Sequence, residues 1–221
     1  LYTINNYTVV YIYEDNMKII ECVPNFSEGK DVQFIQALNS IIKNNDDVYL
    51  LDIDSGTDTN RTVVTFIGEP NAVISTAFNL ISFASKNIDM SKHLGEHPRM
   101  GATDVCPIIP LEDVTMEQCI KYSEILATKV GNELNIPVFL YEKSARSKQR
   151  INLSNIRKGE YEGMTNKIKS SEWKPDYGPK KINVKSGVTA IGAREFLIAY
   201  NINLNTTDKK IATDIALDIR E

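Results

Sequence analysis

Between residues 18 and 109 the chain alternates short strand-like runs with stretches of helical period, in the order β-α-β-β-α-β. Residues 18–24 (KIIECVP) form a short apolar run that Pro24 stops, and Asn25 to Gly29 reads as a polar turn. Asp31 then caps an amphipathic helix whose apolar stripe is Val32, Phe34, Ile35, Leu38, Ile41 and Ile42. Strands follow at 48–54 and 61–68, joined by the loop SGTDTN. Glu69-Pro70 opens a helix to about Ile88, and an apolar stretch near 103–109 makes the fourth strand. Two split βαβ units in this order imply an α+β fold: a ferredoxin-like βαββαβ core, extended to a larger mixed sheet, with helices packed on one face.

The extension comes from the second half. A helix is expected over 115–135, a strand over 137–141 and a last strand region over 187–204, with a terminal helix within 206–221. Residues 143–180 are basic, polar and rich in turn formers, with short helical pieces. Residues 1–16 lack the features of a signal peptide. They read as an upstream extension or leader, or else as an extra edge strand built from their Tyr, Val, Ile and Thr. No linker divides residues 17–205.

The formal charge of −4 gives no general attraction to nucleic acid, which is excluded as a first guess. No apolar run approaches the roughly 18 residues of a membrane span. Cys22, Cys106 and Cys119 are odd in number and contain no C-x-x-C pair, the pattern of a reducing, cytoplasmic location. Neither a P-loop nor a strand-led G-x-G-x-x-G is present.

Only two histidines exist, and one segment holds both: His93-Leu94-Gly95-Glu96-His97-Pro98-Arg99-Met100-Gly101. Histidine titrates near neutral pH and is the default proton-transfer group. Gly95 and Gly101 permit close approach, Pro98 keeps His97 extended, and Arg99 adds a cation suited to a carboxylate. His97 is the candidate acid/base, against a plain loop histidine. The same letters match H-x-x-E-H, an inverted zinc-peptidase signature. That chemistry needs both histidines on one helix, which Gly95 and Pro98 oppose, so no metal is expected. Asp52 and Asp54, two apart on a strand, share a face, with Leu51 and Ile53 on the other. Asp52 reads as a turn carboxylate; Asp54, at the strand end, reads as an orienter or charge partner of the histidine.

Six motifs in order carry a family resemblance. ECVPNFSEG (21–29), DIDSGTDTNRTVVTFIG (52–68), IDMSKHLGEHPRMGATDVCPIIP (88–110), IRKGEYEG (156–163), EWKPDYGP (172–179) and GVTAIGAREFLIAYNINLN (187–205) resemble the N-terminal subdomain of the formiminotransferase family. The resemblance implies an enzyme that transfers a formimino group from N-formiminoglutamate to the co-substrate tetrahydrofolate, without a metal, in histidine degradation and one-carbon metabolism. It implies His97 as the catalytic histidine and Asp54 as the family aspartate; Arg61 and Arg99, read from their charge and place in the loops, are candidate substrate contacts. The folate-contacting stretch falls on Gly178, Pro179, Lys180, Lys181, Ile182, Asn183, Val184, Lys185, Ser186 and Gly187; a solvated basic loop is the competing account of its lysines. Family enzymes carry two subdomains around the folate groove. Residues 206–221 would lead to a second one, so a missing subdomain, a partner chain or a homodimer is expected to complete the site. The alternatives left open are a formyl donor and a non-catalytic folate-binding or assembly module.

Overall fold

The computed structural model describes residues 17–197, 202 and 204–219, together with two short strands near the start. Those two, β1 (Thr3–Ile4) and β2 (Tyr7–Thr8), pair antiparallel with each other, apart from the main sheet. The expectation for residues 1–16 otherwise lies outside the described residues.

Seven strands build the main sheet. They are β3 (Ile19–Cys22), β4 (Asn25–Phe26), β5 (Val48–Gly56), β6 (Arg61–Gly68), β7 (Thr103–Glu112), β8 (Val138–Leu140) and β9 (Thr189–Ala193). β3 and β4 are one strand broken at Pro24. Both pair antiparallel with β6 on one side and β7 on the other. Asn25 and Phe26 therefore belong to the sheet, buried, where a polar turn was expected. β5 lies outside β6, while β9 and then β8 add parallel strands beyond β7. The result is the mixed sheet of an α+β protein.

Three long helices cover one face: α1 (Val32–Lys43), α2 (Pro70–Asn87) and α3 (Met116–Glu133). Their caps are those the residues predict. The Asp31 carboxylate accepts from the N–H groups of Gln33 and Phe34, and Thr115 forms a reciprocal capping box with Gln118. Leu38, Ile42, Leu80, Ile81 and Leu126 meet Cys22, Phe66, Ile108 and Ile191 in the main core.

One expectation needs correcting: helices do not occupy one face alone. The segment with α4 (Lys148–Ile151), α5 (Leu153–Arg157) and α6 (Glu160–Lys167) covers the opposite face of the β7–β9–β8 half. Side chains alternate across these strands. Cys106, Val138, Leu140 and Ile191 point to the long helices, whereas Val105, Phe139 and Ala190 meet Ile156, Met164 and Ile168. Burial on both faces explains why β7, β8 and β9 read as nearly unbroken apolar runs. β6 instead alternates buried with half-buried residues, because its far face is open. An open half-sheet beside a covered one leaves a groove at their junction.

Two further boundaries shift. Asp52 pairs with Thr65 and Leu50 with Phe66, so Leu51 is an extra residue in β5 and bulges out, 57% exposed. Ile53 packs on the core without it. The last strand ends at Ala193, opposite Ile108 of β7; the expectation for residues 198–201 and 203 lies outside the described residues. Among the described residues no helix is long and apolar enough to cross a membrane. α7 (Lys209–Asp218) stands where the terminal helix was expected.

Candidate active site

The two histidines do different work. The stretch from His93 to His97 is not helical, so the inverted zinc-peptidase reading lacks the geometry it needs. His93 is buried and has both ring nitrogens engaged. Arg99 Nε, which can only donate, meets Nδ1 at 3.2 Å, so Nε2 carries the proton and donates to the Asn60 carbonyl at 3.1 Å. His93 thus frames the loop.

His97 is half-buried, and its Nδ1 has no hydrogen-bond partner among the described residues. It lines a narrow cleft with Ser27, Thr59, Asn60, Arg61 and Asp104. Burial, followed by the positive charges of Arg61 and Arg157, holds its pKa below the ordinary histidine value; Asp104 opposes them. The shift favours the neutral imidazole, whose Nδ1 is enclosed in the protein.

Asn60 holds the approach to this loop. It adopts a left-handed backbone (φ 47°), takes the Gly29 N–H on Oδ1 at 3.0 Å and donates through Nδ2 to the Leu94 carbonyl at 2.8 Å. Arg99 holds the exit. Nη1 contacts Glu160 and Glu162 at 2.9 Å each, Nη2 contacts Glu162 at 2.7 Å, and the side chain is 8% exposed. Its cation is paired with the first turn of α6, while the side chain also lines the His97 cleft.

Arg61 remains available. It opens β6 between the His97 cleft and the groove, bonds Asn25 Oδ1, and has a buried Nε without a protein partner. Asp52 and Asp54 line the groove with Arg61, Val63, Tyr141, Arg157 and Arg194. Asp54 sits opposite Val63 in register, and no hydrogen bond joins it to His97. It acts on Arg61 rather than on the imidazole. Asp104, which received no role in the sequence reading, is the carboxylate acting on His97. Its signal was a lone charge in the otherwise apolar run from Thr103 to Ile109.

Residues 178–187 reach neither cavity. The stretch runs from Gly178, packed on Gly131 and the Ile136 carbonyl, to Gly187 beside Met100 and Gly101. Asn183 Oδ1 takes the N–H groups of Lys185 and Ser186, and Ser186 is buried against the Ser85 carbonyl. Lys180 and Lys181 are exposed, and Lys185 Nζ bonds the Lys86 carbonyl at the end of α2.

Both histidines have folded pKa values below 6.5, for His93 chiefly through burial. In the window below 6.5 the unfolded chain binds the more protons, so stability is complete above it and is lost as pH falls. Thermal melts from about pH 8 to pH 5 should show a falling Tm, with a shallower slope in His93→Gln. Identical slopes in the two proteins would exclude His93 as a source of the dependence.

An α+β scaffold thus presents a half-buried histidine in a narrow cleft beside a groove lined by arginines and carboxylates. Residues 19–194 match the family described as formiminotransferase domain, N-terminal subdomain, and the chain belongs to that family. It is 49% identical over 203 residues to a glutamate formimidoyltransferase of Streptococcus pyogenes serotype M1, covering 92% of this chain and 68% of that one. A glutamate formimidoyltransferase of Thermoplasma acidophilum is 44% identical over 206 residues, with the same coverage. The formimidoyltransferase-cyclodeaminase of Mus musculus is 48% identical over 204 residues, covering 92% of this chain but 38% of that protein.

Proposed function

We propose that this chain supplies the acid/base half of a glutamate formimidoyltransferase, moving a formimino group from N-formiminoglutamate to tetrahydrofolate. The observation that carries this is His97: neutral, half-buried and with an unbonded Nδ1 in a cleft flanked by Arg61. In the transfer a folate nitrogen attacks the formimino carbon, and the bond from that carbon to the glutamate nitrogen breaks. His97 removes the proton of the attacking nitrogen and returns it to the leaving one, so atoms and charge balance. Arg61, at the junction of cleft and groove, supports a role in holding a substrate carboxylate; Asn25 bonds its guanidinium, and Asp54 adds a nearby negative charge.

The stretch from Gly178 to Gly187, outside both cavities, is proposed to contact folate, with the exposed Lys180 and Lys181 meeting its anionic glutamyl tail. A variant carrying Lys180→Ala, Lys181→Ala and Lys185→Ala should bind tetrahydrofolate roughly tenfold more weakly by calorimetry, most clearly at low salt. Unchanged affinity would leave the lysines as a solvated surface. α7 and the residue that caps it present Ile211, Ile215 and Ile219, four residues apart, to solvent, which supports a second subdomain or partner chain against this half. Three buried free cysteines support a cytoplasmic location. The test of the reading is transfer from formiminoglutamate, with 5-formyltetrahydrofolate as the control for a formyl donor. Failure of both, with a partner half supplied, would sink it.

A further inference from the structure

Asp104 is the one charged residue in the buried run from Thr103 to Ile109 of β7, and its side chain is 3% exposed. A carboxylate so placed is tolerated only when its oxygens are matched. Oδ1 accepts the Met100 N–H at 2.9 Å, and Oδ2 accepts Arg157 Nε at 2.8 Å, with Arg157 Nη2 as a further donor. Met100 lies three residues beyond His97, and Arg157 closes α5 in the segment that covers the sheet. One carboxylate therefore ties three things together: its own strand, the loop leaving the histidine, and the cover.

We propose that Asp104 is a positioning residue for His97, fixing the backbone that leaves the histidine and, through its pairing with Arg157, setting the balance of charge that faces the imidazole. The loop is then bracketed on both sides, by Asn60 on the Leu94 carbonyl and by Asp104 on the Met100 N–H. Such support from residues that do not touch the substrate keeps a catalytic side chain within its productive geometry. The charged groups acting on His97 are Arg61 from β6, Arg157 from α5 and Asp104 from β7. Two cations and one anion is a composition that changes sharply with the loss of either sign. A tether that merely held the cover to the sheet would have no reason to place its carboxylate in the same cleft as His97 and Arg61.

This role rests on His97 being the acid/base of the proposed transferase, yet it can be tested without turnover. The chain has two histidines, so a histidine-labelled sample gives two titrating ring signals, assigned by His93→Gln. Asp104→Asn keeps an oxygen for the Met100 N–H and removes the negative charge. Arg157→Gln removes the opposing positive charge while leaving an amide to donate. The His97 titration midpoint should move to lower pH in Asp104→Asn and to higher pH in Arg157→Gln, with His93 unmoved. Where transfer is measured, kcat of Asp104→Asn should fall about tenfold with KM little changed, and its acid limb should follow the shifted midpoint. A His97 signal that stays put in Arg157→Gln, or that moves the same way in both folded variants, would overturn the proposal. If Asp104→Asn does not fold, Arg157→Gln alone decides. Shifted midpoints with no transfer would sink the transferase reading and leave the positioning role standing.

Discussion

His97→Ala is expected to lower formimino transfer by about 10²–10⁴-fold, the range that a positioned acid/base group contributes, while tetrahydrofolate binding changes little. The expectation rests on the contrast between the two histidines. His93 bonds Asn60 and Arg99 and is 9% exposed, so its removal would loosen the loop. His97 leaves Nδ1 unbonded, so its truncation removes little that the fold uses. A histidine kept neutral beside two arginines contributes nothing obvious to stability, which leaves chemistry as its use. His97→Ala should therefore melt close to the parent protein, and kcat should fall with KM nearly constant, the signature of an interaction made in the transition state. A variant that unfolds, or that retains more than about a tenth of the parent turnover, would remove His97 from the proton path.

How far this was legible in the sequence depends on the kind of signal each residue leaves. The strands and long helices were readable because their periods are unmistakable, and Asp31 and Thr115 cap as their side chains dictate. His97 and Arg61 stood out as polar groups within loops and strand ends rich in glycine and proline. Asp54 was placed on the same face as Asp52, yet the nearby charge of Arg61 could not be read from spacing along one strand. The Leu51 bulge was invisible, since one extra residue in a strand changes register without changing composition. The cover over residues 148–173 was harder still. Its helices are four to eight residues long, too short to show a helical period, and Ile156, Met164 and Ile168 look like isolated apolar residues in a polar stretch. Without the cover, neither the meeting of Arg157 with Asp104 nor that of Arg99 with Glu160 and Glu162 can be anticipated. These partners lie 53 or more residues apart.

The same long-range joinery makes Gly187→Ala strongly destabilising. Gly187 has φ +71°, a conformation that costs an alanine about 1–2 kcal/mol. A Cβ there would also lie 2.3 Å from the Met100 carbonyl oxygen and 2.6 Å from the Gly101 Cα, both backbone atoms that cannot swing aside. Overpacking of this kind costs about 1–3 kcal/mol. Together these give about 2–5 kcal/mol against a whole-domain stability of about 5–15 kcal/mol, a loss in Tm on the order of 10 °C. The clash lands on the Gly101–Gly187 bridge and on Met100, whose N–H Asp104 holds, so relief by backbone movement would displace the segment that carries His97. Turnover should then fall with stability. A melt within about 2 °C of the parent would show that the two chain segments part without cost. The exit of the histidine loop would then be held by Arg99 and Asp104 alone, and not by the close approach of the two glycines.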